Sequence, residues 1–267
     1  MRRARVFLAL GPLVLPLLAA AIRNSWAQVQ TPARPAAKAT SAVRLATLAE
    51  RIAKLHAQIG HRVLVDRSRR ALAEAMRDFE ATHAALRASA AAGTELREAL
   101  QLLGLLWQDY RAWASKAPTR DNAPGLGERT EEVAWVAMKA ARMLNATPRS
   151  AAAALAFKAA EAATLAQRIP RLYLWRAWGV RMTGLAEDLK LSEALLQSTL
   201  ASLRAVDSLG AEAAAELQVA QDQAAFLAQA ARQLEGGRDV ARHLEFVAKT
   251  GDHILESLER VARLLED

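Results

Sequence analysis

Eleven residues, ATLAERIAKLH at 46–56, return as ATLAQRIPRLY at 163–173, with seven identities and a separation of 117. A phrase repeated at a domain-sized interval implies two copies of one supersecondary plan. Leu86-Arg87 and Leu203-Arg204 keep the same separation of 117, while Trp135-Val136-Ala137 and Phe246-Val247-Ala248 stand 111 apart. A shared offset with a small late deficit is the mark of tandem duplication in which the second copy has a shorter final loop.

Within the phrase the apolar spacing is helical. Leu45, Leu48, Ile52, Leu55 and Ile59 recur at alternating steps of three and four, which places them on one helix face. Hydrophobic residues make up 52% of the chain but aromatics only 5%, with 12 Gly among 267 residues and long Ala and Leu runs. Local propensity therefore favours helix almost everywhere. The expectation is an all-α protein, two tandem up-down four-helix bundles after a signal peptide.

The expected boundaries are a signal peptide at 1–27, a flexible leader at 28–40, a first bundle at 41–146 and a second at 147–267. Helix begins near Ser41, turns over Gly60 and the polar run 66–70, and resumes to about Ala91. A third helix runs over 95–116 with Leu103, Leu106, Trp107 and Tyr110 inward; 118–128 reads as the one long loop, and a fourth helix spans about 130–144. Thr147 as N-cap and Pro148 at the first helical position open the second unit.

Arg2, Arg3 and Arg5 precede an apolar run over 6–22 broken by Gly11, Pro12 and Pro16, and Ser25 and Ala27 supply small residues before Gln28. That is the pattern of a secretory signal, and it predicts a periplasmic or secreted protein, with an uncleaved anchor as the alternative. The net charge of +8 includes Arg2, Arg3, Arg5 and Arg23. The remaining charge is interleaved along the helices, without a basic block beside stacking aromatics, which argues against nucleic acid. With no cysteine, the chain has no disulfides, thiolate-bound metal or covalently attached haem.

Sequence support for catalysis is thin, and a non-enzymatic protein without a cofactor is expected. There is no Gly-x-Ser-x-Gly elbow and no phosphate-cradling glycine loop; Gly125-Leu126-Gly127 reads as loop chemistry. Glu80 and His83 have the spacing that di-iron bundles use, but a single such motif reads as a surface pair, and no metal site is expected.

Three arginines stand out. Projecting the first seam forward by 117 puts Arg176 at the place of Ile59, on the core-facing stripe, where a charge needs a partner or a ligand. Arg51 and Arg168 each precede a seam residue, Ile52 and Ile169. Either a small anion sits between helices at these arginines, or they pair with carboxylates of neighbouring helices. Tyr173, Trp175 and Trp178 are expected to pack core and interface beside them, and Pro170 to bend its helix.

The segment ATLAQRIPRLYLWRAWGV, 163–180, resembles the signature of the PilJ-type domain, the N-terminal domain of type IV pilus methyl-accepting chemotaxis transducers. That family is related to the sensor region of NarX-like nitrate/nitrite sensor kinases. VAKTGDHILESLERVARLLE, 247–266, is similar to its closing helix. The resemblance spans 41–145 and 149–266 and implies an extracytoplasmic four-helix sensor that binds a small oxyanion such as nitrate or nitrite. An arginine that contacts the anion in the nitrate sensors is replaced here by Ala163 and Ala46, which leaves Arg168, Arg51 and Arg176 as candidates. No methyl-accepting or kinase region accompanies these segments, so a membrane-bound sensor or transporter partner is expected, and a homodimer is compatible. The alternative is a structural adaptor that binds proteins without a small ligand.

Overall fold

A computed structural model describes residues 35–146, 150–207, 209–234 and 240–266. The segment expected to be a signal peptide, 1–27, and the first part of the expected leader lie outside the described residues. Among the described residues there are eight helices and no strand: α1 (Pro35–Gly60), α2 (Val65–Ser89), α3 (Glu95–Ala114), α4 (Ala123–Leu144), α5 (Ala151–Trp178), α6 (Leu185–Arg204), α7 (Ala211–Leu234) and α8 (Val240–Glu266). The protein is all-α, and the described helices belong to one compact unit, Ala33–Asp267.

Several ends differ from expectation for local reasons. α1 begins at Pro35 rather than near Ser41, because a proline costs nothing in a first turn, whose N–H groups lack helical partners anyway. The same rule shortens the long loop: α4 starts at Ala123 with Pro124 in its first turn. Gly125 and Gly127, expected in a loop, are therefore helical. Trp113 packs over the first, and Trp175 over the second. The polar run 66–70 lies inside α2, where Asp66 in the first turn suits the positive end of the helix dipole. α5 is capped by Ser150, whose hydroxyl accepts from the Ala153 N–H, while the expected Thr147 and Pro148 lie outside the described residues.

α1 to α4 pack each on the next, and α4 returns to α1; α5 to α8 do the same. α1 and α5 lie against one another. Thr47 meets Thr164, Glu50 meets Arg168, and Gly60 meets Trp178, so residue number rises together along both helices and they run parallel. Buried side chains of both sets form one continuous core. Helices flanked on so many sides lose their polar face: Leu45, Leu48, Ile52 and Leu55 are buried as the seam predicts, but so are Thr47, Glu50, Lys54, His56 and Gln58.

α5 runs through Pro170 without interruption. Proline lacks the N–H that would have bonded the Ala166 carbonyl. The Gln167 amide covers that carbonyl at 3.4 Å and donates to the Gly251 carbonyl of α8 at 3.0 Å. Gly251 is needed there, since a Cβ would stand 2.4 Å from Pro170 Cγ and 2.7 Å from the Ala166 oxygen.

Candidate functional site

Where α1, α4, α5 and α6 meet, the structure gathers five charged side chains: Glu50, Glu131, Arg168, Arg171 and Asp188. Arg168 reaches three helices at once. Its Nη1 donates to Glu50 Oε1 at 2.9 Å and to Glu131 Oε2 at 2.7 Å, and its Nη2 donates to both Asp188 oxygens at 2.9 and 2.7 Å. Arg171, one turn further along α5, is 0% exposed and Glu50 only 1%. Arg171 Nη2 donates to Glu131 Oε1 at 2.8 Å, Nε stands 2.6 Å from Glu50 Oε2 in an ion contact without hydrogen-bond alignment, and the guanidinium lies 4.5 Å over the Trp175 ring.

Charges taken from water this completely persist only when paired. Burial alone would raise Glu131, but the guanidiniums of Arg171 and Arg168 hold its carboxyl below the ordinary range. Burial pushes Glu50 upward against the pull of Arg171 and Arg168. Burial works against the charge on Arg168 too, but Glu50 and Glu131 outweigh it and raise its pKa.

The repeat carries a second version of this arrangement. Lys54 stands 117 positions before Arg171, and Glu50 the same distance before Gln167. Lys54 is fully buried and pairs with Asp252 of α8. Burial lowers the Lys54 pKa although Asp252 opposes it, and Lys54 holds Asp252 below its usual value against the effect of burial.

The three arginines expected at a ligand site separate. Arg176 is exposed in the last turn of α5, not on the core stripe. Its template Ile59 is itself only half-buried, α5 ends two residues later at Trp178, and a cation at a helix C-terminus is favoured by the dipole. Arg168 is closed by carboxylates from three helices. Arg51, its counterpart in the repeat, is half-buried, its Nε is buried without a hydrogen-bond partner, and no carboxylate of the described residues forms an ion pair with it. Arg51 and Arg67 both act electrostatically on Lys54 and Asp252.

The aromatics pack as expected near these charges. Tyr173 is buried with its hydroxyl on Glu193, Trp175 lies under Arg171, and Trp178 covers Gly60 with its ring 5.4 Å from His61. Glu80 and His83 turn to α3: Glu80 accepts from Trp107 Nε1 and pairs with Arg111, and His83 Nε2 bonds the Leu100 carbonyl at 2.7 Å.

Sequence reasoning missed Arg171, Glu50 and Lys54. A search for polar residues that recur at the 117 offset inside the seam helices would have found them. No family model, curated protein or solved structure matches this chain.

Proposed function

We propose that the chain is an exported, non-enzymatic helical sensor of PilJ-like character that binds a small oxyanion such as nitrate or nitrite and hands the signal to a membrane-bound partner. The observation that carries this reading is the contrast between Arg168 and Arg51. The first has every edge of its guanidinium engaged; the second is half-buried, forms no ion pair with a described carboxylate, and shares its surroundings with Lys54 and Arg67 against the single carboxylate of Asp252. A partly desolvated cation with an unpaired N–H, in a cluster where cations outnumber carboxylates, favours an anion. The basic and apolar N-terminal sequence supports export, and the ATLAQRIPRLYLWRAWGV segment supports the family.

Thermal unfolding of residues 28–267 against nitrate, nitrite and small carboxylates tests it. An anion at about 100 times its Kd adds roughly 2.7 kcal/mol to the native state. The stabilisation is expected to vanish in Arg51→Ala and to weaken in Arg67→Ala, both of which keep the fold. Absence of stabilisation across the panel, or stabilisation indifferent to Arg51, would overturn the reading.

A second reading, an adaptor that binds proteins, is favoured by one observation: Trp135, Leu191 and Leu195 are 64%, 68% and 50% exposed along a single trough.

A further inference from the structure

That trough lies between α4 and α6, is floored by α5, and encloses about 520 Å3. Its walls match. The lining positions of α4 run from Glu131 to Arg142 and those of α6 from Asp188 to Thr199, in both cases at i, i+3, i+4, i+7 and i+11. Each wall is thus one straight face about 16 Å long at 1.5 Å per residue. The floor is the corresponding stripe of α5 from Glu161 to Arg168. Two parallel walls of equal length over a helical floor shape a seat for another helix rather than a pit for a compact molecule.

Chemistry selects the occupant. The middle of the trough is apolar and wet, with Trp135, Leu191 and Leu195 all exposed, so covering it releases water from large side chains. At one end Glu50, Glu131 and Asp188 face two guanidiniums, Arg168 and Arg171, which leaves one carboxylate in excess. At the other end Glu161 is half-buried and forms neither an ion pair nor a hydrogen bond with the described residues; Arg142 and Lys158 bear on it only at longer range. The Glu131–Asp188 end calls for a cation, and at the other end, where Arg142 also lines the trough, Glu161 lacks a direct partner among the described residues.

We propose that this trough seats an amphipathic helix of a partner protein, about three turns long, whose apolar stripe packs on Trp135, Leu191 and Leu195 and whose lysines or arginines meet Glu161 and the Glu131–Asp188 end. This rests on the adaptor reading and is independent of the Arg51 anion site, so either can fail alone.

The test is selection from a display library of 18-residue helical peptides with a fixed leucine stripe and each flanking position free to be Lys or Glu, using residues 28–267 as bait. Peptides bearing Lys at the positions flanking the stripe are expected to win. Their affinity should fall about tenfold or more in Leu191→Asp and in Leu195→Asp, both exposed sites whose melting temperature stays at the wild-type value. Glu161→Lys should weaken the Lys peptides and spare their Glu twins. No binders, Glu-rich winners, or winners indifferent to Leu191 would overturn the proposal. So would self-association of the protein in sedimentation that Leu191→Asp abolishes, which would assign the trough to a second copy of this chain.

Discussion

Thr47 Oγ1 and Thr164 Oγ1 lie 2.8 Å apart, although 117 residues separate them in the chain. The separation is that of the repeated phrase, so the residue touches its own counterpart. Thr47 and Thr164 thus meet as an equivalent pair on the parallel helices α1 and α5.

One prediction concerns that pair. Thr47→Val and Thr164→Val should each cost about 1 kcal/mol, because each removes the hydroxyl that the other meets at 2.8 Å. The double variant should cost less than the sum by about 0.5–1 kcal/mol, since each single variant already loses the one bond the two hydroxyls share. Urea unfolding of the four proteins in the cycle measures it, and strict additivity would mean that the two hydroxyls are not coupled.

The buried charges predict a sharp contrast along α5. Arg171→Leu removes the partner of Glu50 and Glu131 inside the core and should cost about 3–5 kcal/mol. Arg176→Ala, on the exposed last turn, should stay within about 0.5 kcal/mol of wild type. Equal effects in chemical denaturation would contradict the placement of the two arginines.

His56 predicts a pH dependence. Burial lowers its pKa from 6.5 to about 4, and its Nδ1 has no partner. The unfolded ring then binds a proton that the native ring refuses throughout that window. Stability from this residue is complete above pH 6.5 and is lost as pH falls toward about 4, by about 3 kcal/mol at 1.36 kcal/mol per unit. The difference in unfolding free energy between wild type and His56→Gln should shrink or reverse over that interval; a pH-independent difference would show that His56 does not titrate as its burial demands.

Gly251→Ala drives a methyl into Pro170 and the Ala166 carbonyl and should cost about 1–3 kcal/mol, with loss of the bond from Gln167. Gly210→Ala, with open space around it, provides the comparison in thermal unfolding. Similar melting temperatures for the two would argue against the close approach of α5 and α8.

The helical class was legible in composition and in the heptad spacing because both follow from local propensity. Arg176 was misplaced because periodicity assumes one buried face, whereas α1 and α5 are enclosed on several sides and Ile59 sits in a half-buried final turn. The same enclosure hid Glu50, Lys54 and Arg171, which a one-face pattern assigns to solvent. Arg168 was visible through its neighbour Ile169, but its three acidic partners come from α1, α4 and α6, and no sequence pattern joins those positions.

Thr40 bonds Glu266, Arg44 pairs with Glu259, and Lys54 pairs with Asp252, so the described beginning of α1 lies beside the end of α8 and the clasps follow in order toward the interior. A pull on those two ends would not load the helices in shear along their length. It would peel α1 from α8 turn by turn, the surface contacts yielding first and the fully buried lysine last. Tension arriving at that pole would therefore meet these clasps in sequence, Thr40–Glu266 first and Lys54–Asp252 last.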